Sequence, residues 1–78
     1  MDPASKRLSA WMQERGLTLV EAGRMLECSY SYVGHLRSGR RTPSRRVANQ
    51  IERVTATWPA GPIRAMEWDR VRPAEGPG

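Results

Sequence analysis

Helix stop and start signals recur so closely along this chain that every segment between them must be short. Gly16 can take the left-handed conformation that ends a helix, and Thr18 follows as an N-cap with Glu21 three residues on, the spacing of a capping box. Ser29 is the next N-cap and Gly39 the next stop; Arg40 to Pro43 cannot easily continue a helix, and Ser44 caps again. Upstream, Asp2 supplies a cap and Pro3 the first helical position, where the missing amide costs nothing.

The apolar residues between these signals have helical spacing. Leu8, Trp11 and Met12 share one stripe, as do Ala22, Met25 and Leu26, then Val33 and Leu36, and finally Val47, Ile51 and Val54 at i, i+4 and i+7. Four short helices therefore make an all-α fold, with Trp58-Pro59 closing the last. The stretch from Ala60 to Trp68 is too short and too rich in breakers for a fifth long helix, and is expected to be extended or a single helical turn. From Arg72 onward the composition buries little and is expected to fray. The expected organisation is a domain over 1–58, a contact segment over 59–71 and a flexible tail over 72–78.

With 78 residues there is one domain at most, and a chain this short buries only about 60% of its unfolded surface, which argues against a large pocketed enzyme. The single Cys28 cannot close an intrachain disulfide, and with the single His35 it cannot build a four-ligand zinc site, so no metal or cofactor is expected. The glutamates form no obvious acid–base pair, the serines have no histidine–carboxylate system, and no glycine-rich phosphate loop occurs; no catalytic role is assigned. There is no apolar run of bilayer length and the first seven residues lack the apolar stretch of a signal peptide, so a cytoplasmic location is expected.

The formal charge of +5 is concentrated rather than spread. No acidic residue lies between Glu27 and Glu52, while that window holds Arg37, Arg40, Arg41, Arg45 and Arg46; elsewhere bases and acids balance. Segregation of this kind suits a polyanion, although a solvated basic face would look the same. Two short helices joined by a tight turn, the second poor in acids and followed by arginines, meet the needs of a duplex reader. The major groove is about 12 Å wide and accepts one helix, while the helix before it braces across the phosphates. Ala22, Leu26, Cys28, Val33 and Leu36 sit where the two helices would face each other, and Gly23 suits their closest approach.

The ordered set Arg15-Gly16-Leu17-Thr18, Ala22-Gly23, Cys28-Ser29-Tyr30-Ser31-Tyr32-Val33 and Ser38-Gly39-Arg40-Arg41-Thr42-Pro43-Ser44 resembles the Cro/C1 repressor-type helix-turn-helix family of phage and bacterial transcription regulators. The resemblance runs from about Lys6 to Thr57 and implies a four-helix, lambda-repressor-like domain with a less regular C-terminal tail. It implies a sequence-specific regulator, most simply a repressor, that lays the helix 29–38 in the major groove of double-stranded DNA. By motif position, Tyr30, Ser31 and His35 would face base edges, while Thr18, Tyr32, Arg37, Ser38, Gly39, Arg40, Arg41 and Arg45 would contact the backbone, Ser38 and Gly39 through hydroxyl and amide. Two positions depart from the family pattern. Leu19 stands where a phosphate-touching glutamine is usual, and Glu27 where the turn usually has glycine.

A single short recognition helix covers few base pairs, so a homodimer on a two-fold operator is expected, with Ile63, Met66 and Trp68 as the contact. Trp11 is read as core; Trp58 and Trp68 either close the core or form that contact. The alternative is a protein-interaction module, an antitoxin-like or inhibitor protein that offers the arginine face to an acidic partner.

Overall fold

A computed structural model describes residues 3–70. Within them the chain forms α1 (Ala4–Arg15), α2 (Leu19–Leu26), α3 (Tyr30–Ser38), α4 (Arg45–Val54) and α5 (Ala65–Arg70), with no strand among the described residues. Thr18, Ser29 and Ser44 are the N-caps of α2, α3 and α4, and each hydroxyl accepts from the backbone amide three residues on. At Thr18 the capping box is complete, because the Glu21 carboxylate also accepts from the Thr18 amide at 2.9 Å. The first helix begins one residue later than expected: Pro3 is its N-cap, in extended conformation, and its carbonyl accepts from the Lys6 and Arg7 amides. Asp2 and the tail over 72–78 lie outside the described residues.

Three helices stop in the same way. At Gly16, Glu27 and Gly39 the backbone turns left-handed, and the amides of that residue and the next reach back to the last turn. Two of the three are glycines; Glu27 reaches a φ of 58° with a side chain attached, a conformation that costs a non-glycine residue about 1 kcal/mol.

The core is built from one stripe of each helix: Leu8, Trp11 and Met12 of α1, Ala22 and Leu26 of α2, Val33 and Leu36 of α3, and Val47 and Ile51 of α4. Ala4 and Ala48 complete it. Helix α3 packs against both α1 and α2, which fixes it from behind and leaves its other side free. Gln50 ties α4 to α2 by donating to the Met25 carbonyl at 3.0 Å, one of the acceptors that a helix end leaves unpaired.

The core does not end at Trp58. Ile63 is fully buried and Trp68 is 3% exposed, both in the same cluster as Leu8 and Ile51. Segment 59–70 thus packs onto the core, with residues 61–64 irregular and a short fifth helix after them. The expected contact face of Ile63, Met66 and Trp68 is corrected accordingly, because two of its three side chains are spent inside the chain and Met66 alone is exposed.

Polar groups hold this segment in place. Thr55, wholly buried, donates its hydroxyl proton to the Ile51 carbonyl at 2.7 Å and accepts from the Ile63 amide at 2.9 Å. Arg7 of α1 donates to the carbonyls of Ala60, Gly61 and Pro62 and to the Glu67 carboxylate at 2.8 Å, while its guanidinium lies 5.4 Å from the Trp58 ring centroid. Trp58 is half-buried at the core's edge, its indole donating to Glu14 at 2.9 Å.

Candidate nucleic-acid interface

Helical geometry sorts the residues of α3. At about 100° per residue, Val33 and Leu36 face the core, Ser31, Gly34, His35 and Ser38 centre on the opposite side, and Tyr30 and Arg37 share one flank. Burial agrees: Tyr30 is 59% exposed, and Ser31, His35, Arg37 and Ser38 are exposed too. Of the three residues expected to face bases, Ser31 and His35 lie on the side opposite the core and Tyr30 at the flank of that solvent-facing surface. Its middle is a shallow hollow lined by Ser31, Gly34, His35, Ser38 and Arg40.

The backbone explains how α2 and α3 come so close. A Cβ built on Gly23 would lie 2.6 Å from the Cys28 carbonyl oxygen and 3.4 Å from the Tyr30 amide nitrogen, so the closest approach is between α2 and the turn itself. Gly23 thus permits a close contact whose partner is the turn backbone. Cys28 is half-buried in that turn. Burial pushes its thiol pKa up, and the charge of Arg46 opposes this only in part, so the thiol stays protonated and packs as a small apolar group.

Past Gly39 the chain presents its arginines. Arg37, Arg40, Arg41 and Arg45 are all exposed, and among the described residues none of them pairs with a carboxylate. Arg46 reaches only Glu27, at 3.9 Å with both side chains well exposed, a pair worth little. Arg45 and Arg46 also occupy the first turn of α4, which has no acid, where the helix dipole disfavours cations. Cations set against a helix start are a local electrostatic cost that a bound anion relieves.

Several expected backbone contacts are altered by hydrogen bonds already made. The Gly39 amide donates to Leu36 and the Arg40 and Arg41 amides both donate to the His35 carbonyl, so these donors are spent in ending α3. Ser38 likewise donates its hydroxyl to His35 at 3.2 Å. The expectation that Ser38 and Gly39 donate to phosphate is corrected on this ground, since neither group has a free proton in this arrangement. Tyr32 is half-buried, and its hydroxyl accepts from the Ser44 amide at 3.0 Å, which fixes the loop before α4 while leaving the phenolic proton free. The exposed Thr18 hydroxyl is also an acceptor, from Glu21 at 3.1 Å, and keeps its proton. Leu19 is half-buried and packs beside Gly34.

Sequence reasoning does not find the residues that tie α4 to α2 and the segment after α4 to the core: Arg7, Gln50, Thr55 and Glu67. None lies on an apolar stripe or in a recognisable motif. The only legible signal was the apolar content of Ile63 and Trp68, which implied that something covers them.

A family model described as helix-turn-helix matches residues 8–57, more than half of the chain. No curated protein and no solved structure matches it.

Proposed function

Since the chain belongs to the helix-turn-helix family, of the Cro/C1 type, and is thereby a DNA-binding regulator in general kind, we infer that it is a sequence-specific repressor that lays α3 in the major groove of a two-fold operator. One observation carries the reading: the exposed side of α3, with Tyr30, Ser31 and His35, shares a hollow with Arg40, and Arg37, Arg40, Arg41 and Arg45 are exposed with no carboxylate partner among the described residues. Tyr30 meets a base or a thymine methyl, Ser31 pairs with several bases, and His35 donates or accepts by tautomer. None of these is a bidentate reader of guanine or adenine, so DNA shape and phosphate contacts carry a large share of selectivity.

Anchoring falls to Arg37, Arg40, Arg41 and Arg45, with the free protons of Thr18 and Tyr32 as secondary donors. Two copies extend the readout beyond one half-site, and the exposed Met66 is what remains of the expected contact between them.

Binding to duplexes selected from a random pool tests the reading. The affinity should fall with salt at a slope of about −0.9 per neutralised phosphate, about four per copy. Reversing Arg40 and Arg41 to Glu should abolish binding while leaving the thermal transition in place, since both side chains are exposed. A flat salt response, or a pool with no sequence enriched, counts against a sequence-specific regulator. Intact DNA binding by the reversed variant with loss of an acidic protein partner would instead favour the interaction module.

A further inference from the structure

Trp68 poses a question that the DNA interface does not answer. Its side chain is buried, with 3% exposure, yet the indole Nε1 has no hydrogen-bond partner among the described residues. Buried donors are almost always satisfied, and an indole N–H can only donate, so the missing group is an acceptor.

The same residue lines a groove of about 580 Å³ between the start of α4 and α5, a volume in the range of small-molecule sites. The walls differ in character. Thr42, Arg45 and Asn49 supply a cation and neutral polar groups on one side; Ala65, Met66 and Trp68 form an apolar surface on the other. No acid lines it. Met66 is unbranched and 64% exposed, so this wall can adapt to the shape of a guest.

We propose that this groove binds a small organic carboxylate with a flat apolar body, one carboxylate oxygen accepting from the Trp68 indole and the other facing the Arg45 guanidinium. An apolar body suits the Ala65–Met66 wall, and a carboxylate is the acceptor that also meets the cation. The consequence for regulation rests on the DNA reading above. Arg45 is one of the four phosphate anchors, so a carboxylate on it competes with the duplex, and by linkage DNA weakens the acid in the same proportion.

Benzoate serves as the probe, with benzyl alcohol as its uncharged counterpart, and the full chain is followed through its three tryptophan indole N–H resonances. Millimolar benzoate should move the Trp68 resonance downfield to saturation while those of Trp11 and Trp58 stay. R45Q should weaken that binding by about fivefold or more, within the usual range of a coupling between groups. Ala65→Leu, which narrows the groove without touching the indole, should abolish the shift and serves if Trp68→Phe fails to fold. Saturating benzoate should also reduce the salt slope of DNA binding by about 0.9, the share of one phosphate. An unmoved or linearly drifting Trp68 resonance overturns the site, as does a water cross-peak at the indole with no response to benzoate. An equal response to benzyl alcohol overturns the carboxylate class, and benzoate binding that leaves DNA affinity unchanged overturns the competition at Arg45. The resonance shift needs no DNA, so a chain that binds benzoate but no duplex refutes the regulator reading alone.

Discussion

Between α2 and α3 the chain turns in three residues, and the contact is backbone on backbone, with Gly23 against the Cys28 carbonyl. Between α1 and the segment after α4 the partners lie 44 to 60 positions apart, and one side chain, Arg7, makes most of the polar contact. The first pairing is local: caps, stops and a small residue specify it, and each acts on its own few neighbours. The second is non-local and exists only once the core has placed Arg7, Thr55 and Glu67 in reach of one another. The difference predicts that the reading surface is built from locally encoded parts but depends for its stability on a remote latch.

The strongest way to break that comparison is to remove the latch with its apolar cargo. A chain truncated after Trp58 loses Ile63 and Trp68, side chains whose loss costs about 2–5 and 3–5 kcal/mol as alanines. A domain of this size has on the order of 4–12 kcal/mol in total. The truncated chain should therefore be unfolded at 25 °C by circular dichroism. A cooperative melt within a few degrees of the full chain would mean that 1–58 stands alone after all.

Next in size is Arg7→Met, which keeps the apolar stem and removes the guanidinium. Three carbonyls lose a donor and Glu67 loses its cation at a site where the two side chains are 20% and 26% exposed, for about 2–3 kcal/mol by denaturant unfolding. Arg7→Lys should recover little, since an ammonium cannot fork to four acceptors. Full recovery by lysine would show that charge, not geometry, holds the segment.

These two regions also differ in how well they could be read beforehand. Thr18, Ser29 and Ser44 were found as caps because a hydroxyl before an apolar period has a local physical meaning, and the structure uses all three that way. The faces of α3 followed from the same period. Arg7 could not be found: a lone arginine in an amphipathic helix reads as solvated, and its acceptors are carbonyls of a loop whose path is set by the core. Ile63 and Trp68 were seen as apolar and in need of cover, but sequence alone does not distinguish cover by the chain's own core from cover by a second copy. The engaged donors of Ser38 and Gly39 are illegible in sequence for a simpler reason, that ending α3 and binding a phosphate call on the same protons.

The two helical glycines probe the local pairing with opposite signs. Gly23→Ala pushes a methyl into backbone that cannot yield, and should cost about 1–3 kcal/mol despite the better helix propensity. At Gly34 a Cβ would meet only the Leu19 side chain, at 3.8 Å, an ordinary contact. Gly34→Ala should accordingly raise stability by up to about 1 kcal/mol. Thermal melts of the two variants side by side are the measurement, and shifts of the same sign would show that the α2–α3 contact is not set by backbone approach.

The smallest expected change comes at the turn itself and acts on stability and binding together. Glu27 is the one non-glycine residue at positive φ among the described residues, so Glu27→Gly relieves the left-handed strain. Part of that gain is returned through the greater freedom of glycine in the unfolded chain, leaving about 0.5 kcal/mol, or a few degrees in the melting temperature. The ion pair to Arg46 that is lost is long and exposed and subtracts almost nothing. Binding should respond separately. Removing a carboxylate beside the arginine-rich surface frees Arg46 and lowers repulsion of phosphate, so DNA affinity should rise most at low salt and converge with the unaltered chain as salt screens the charge. Glu27→Gln divides the two effects, keeping the strain while removing the charge: it should share the affinity gain and lack the stability gain. If glutamine instead matches glycine in the melt, the charge rather than the backbone conformation makes Glu27 costly in this turn.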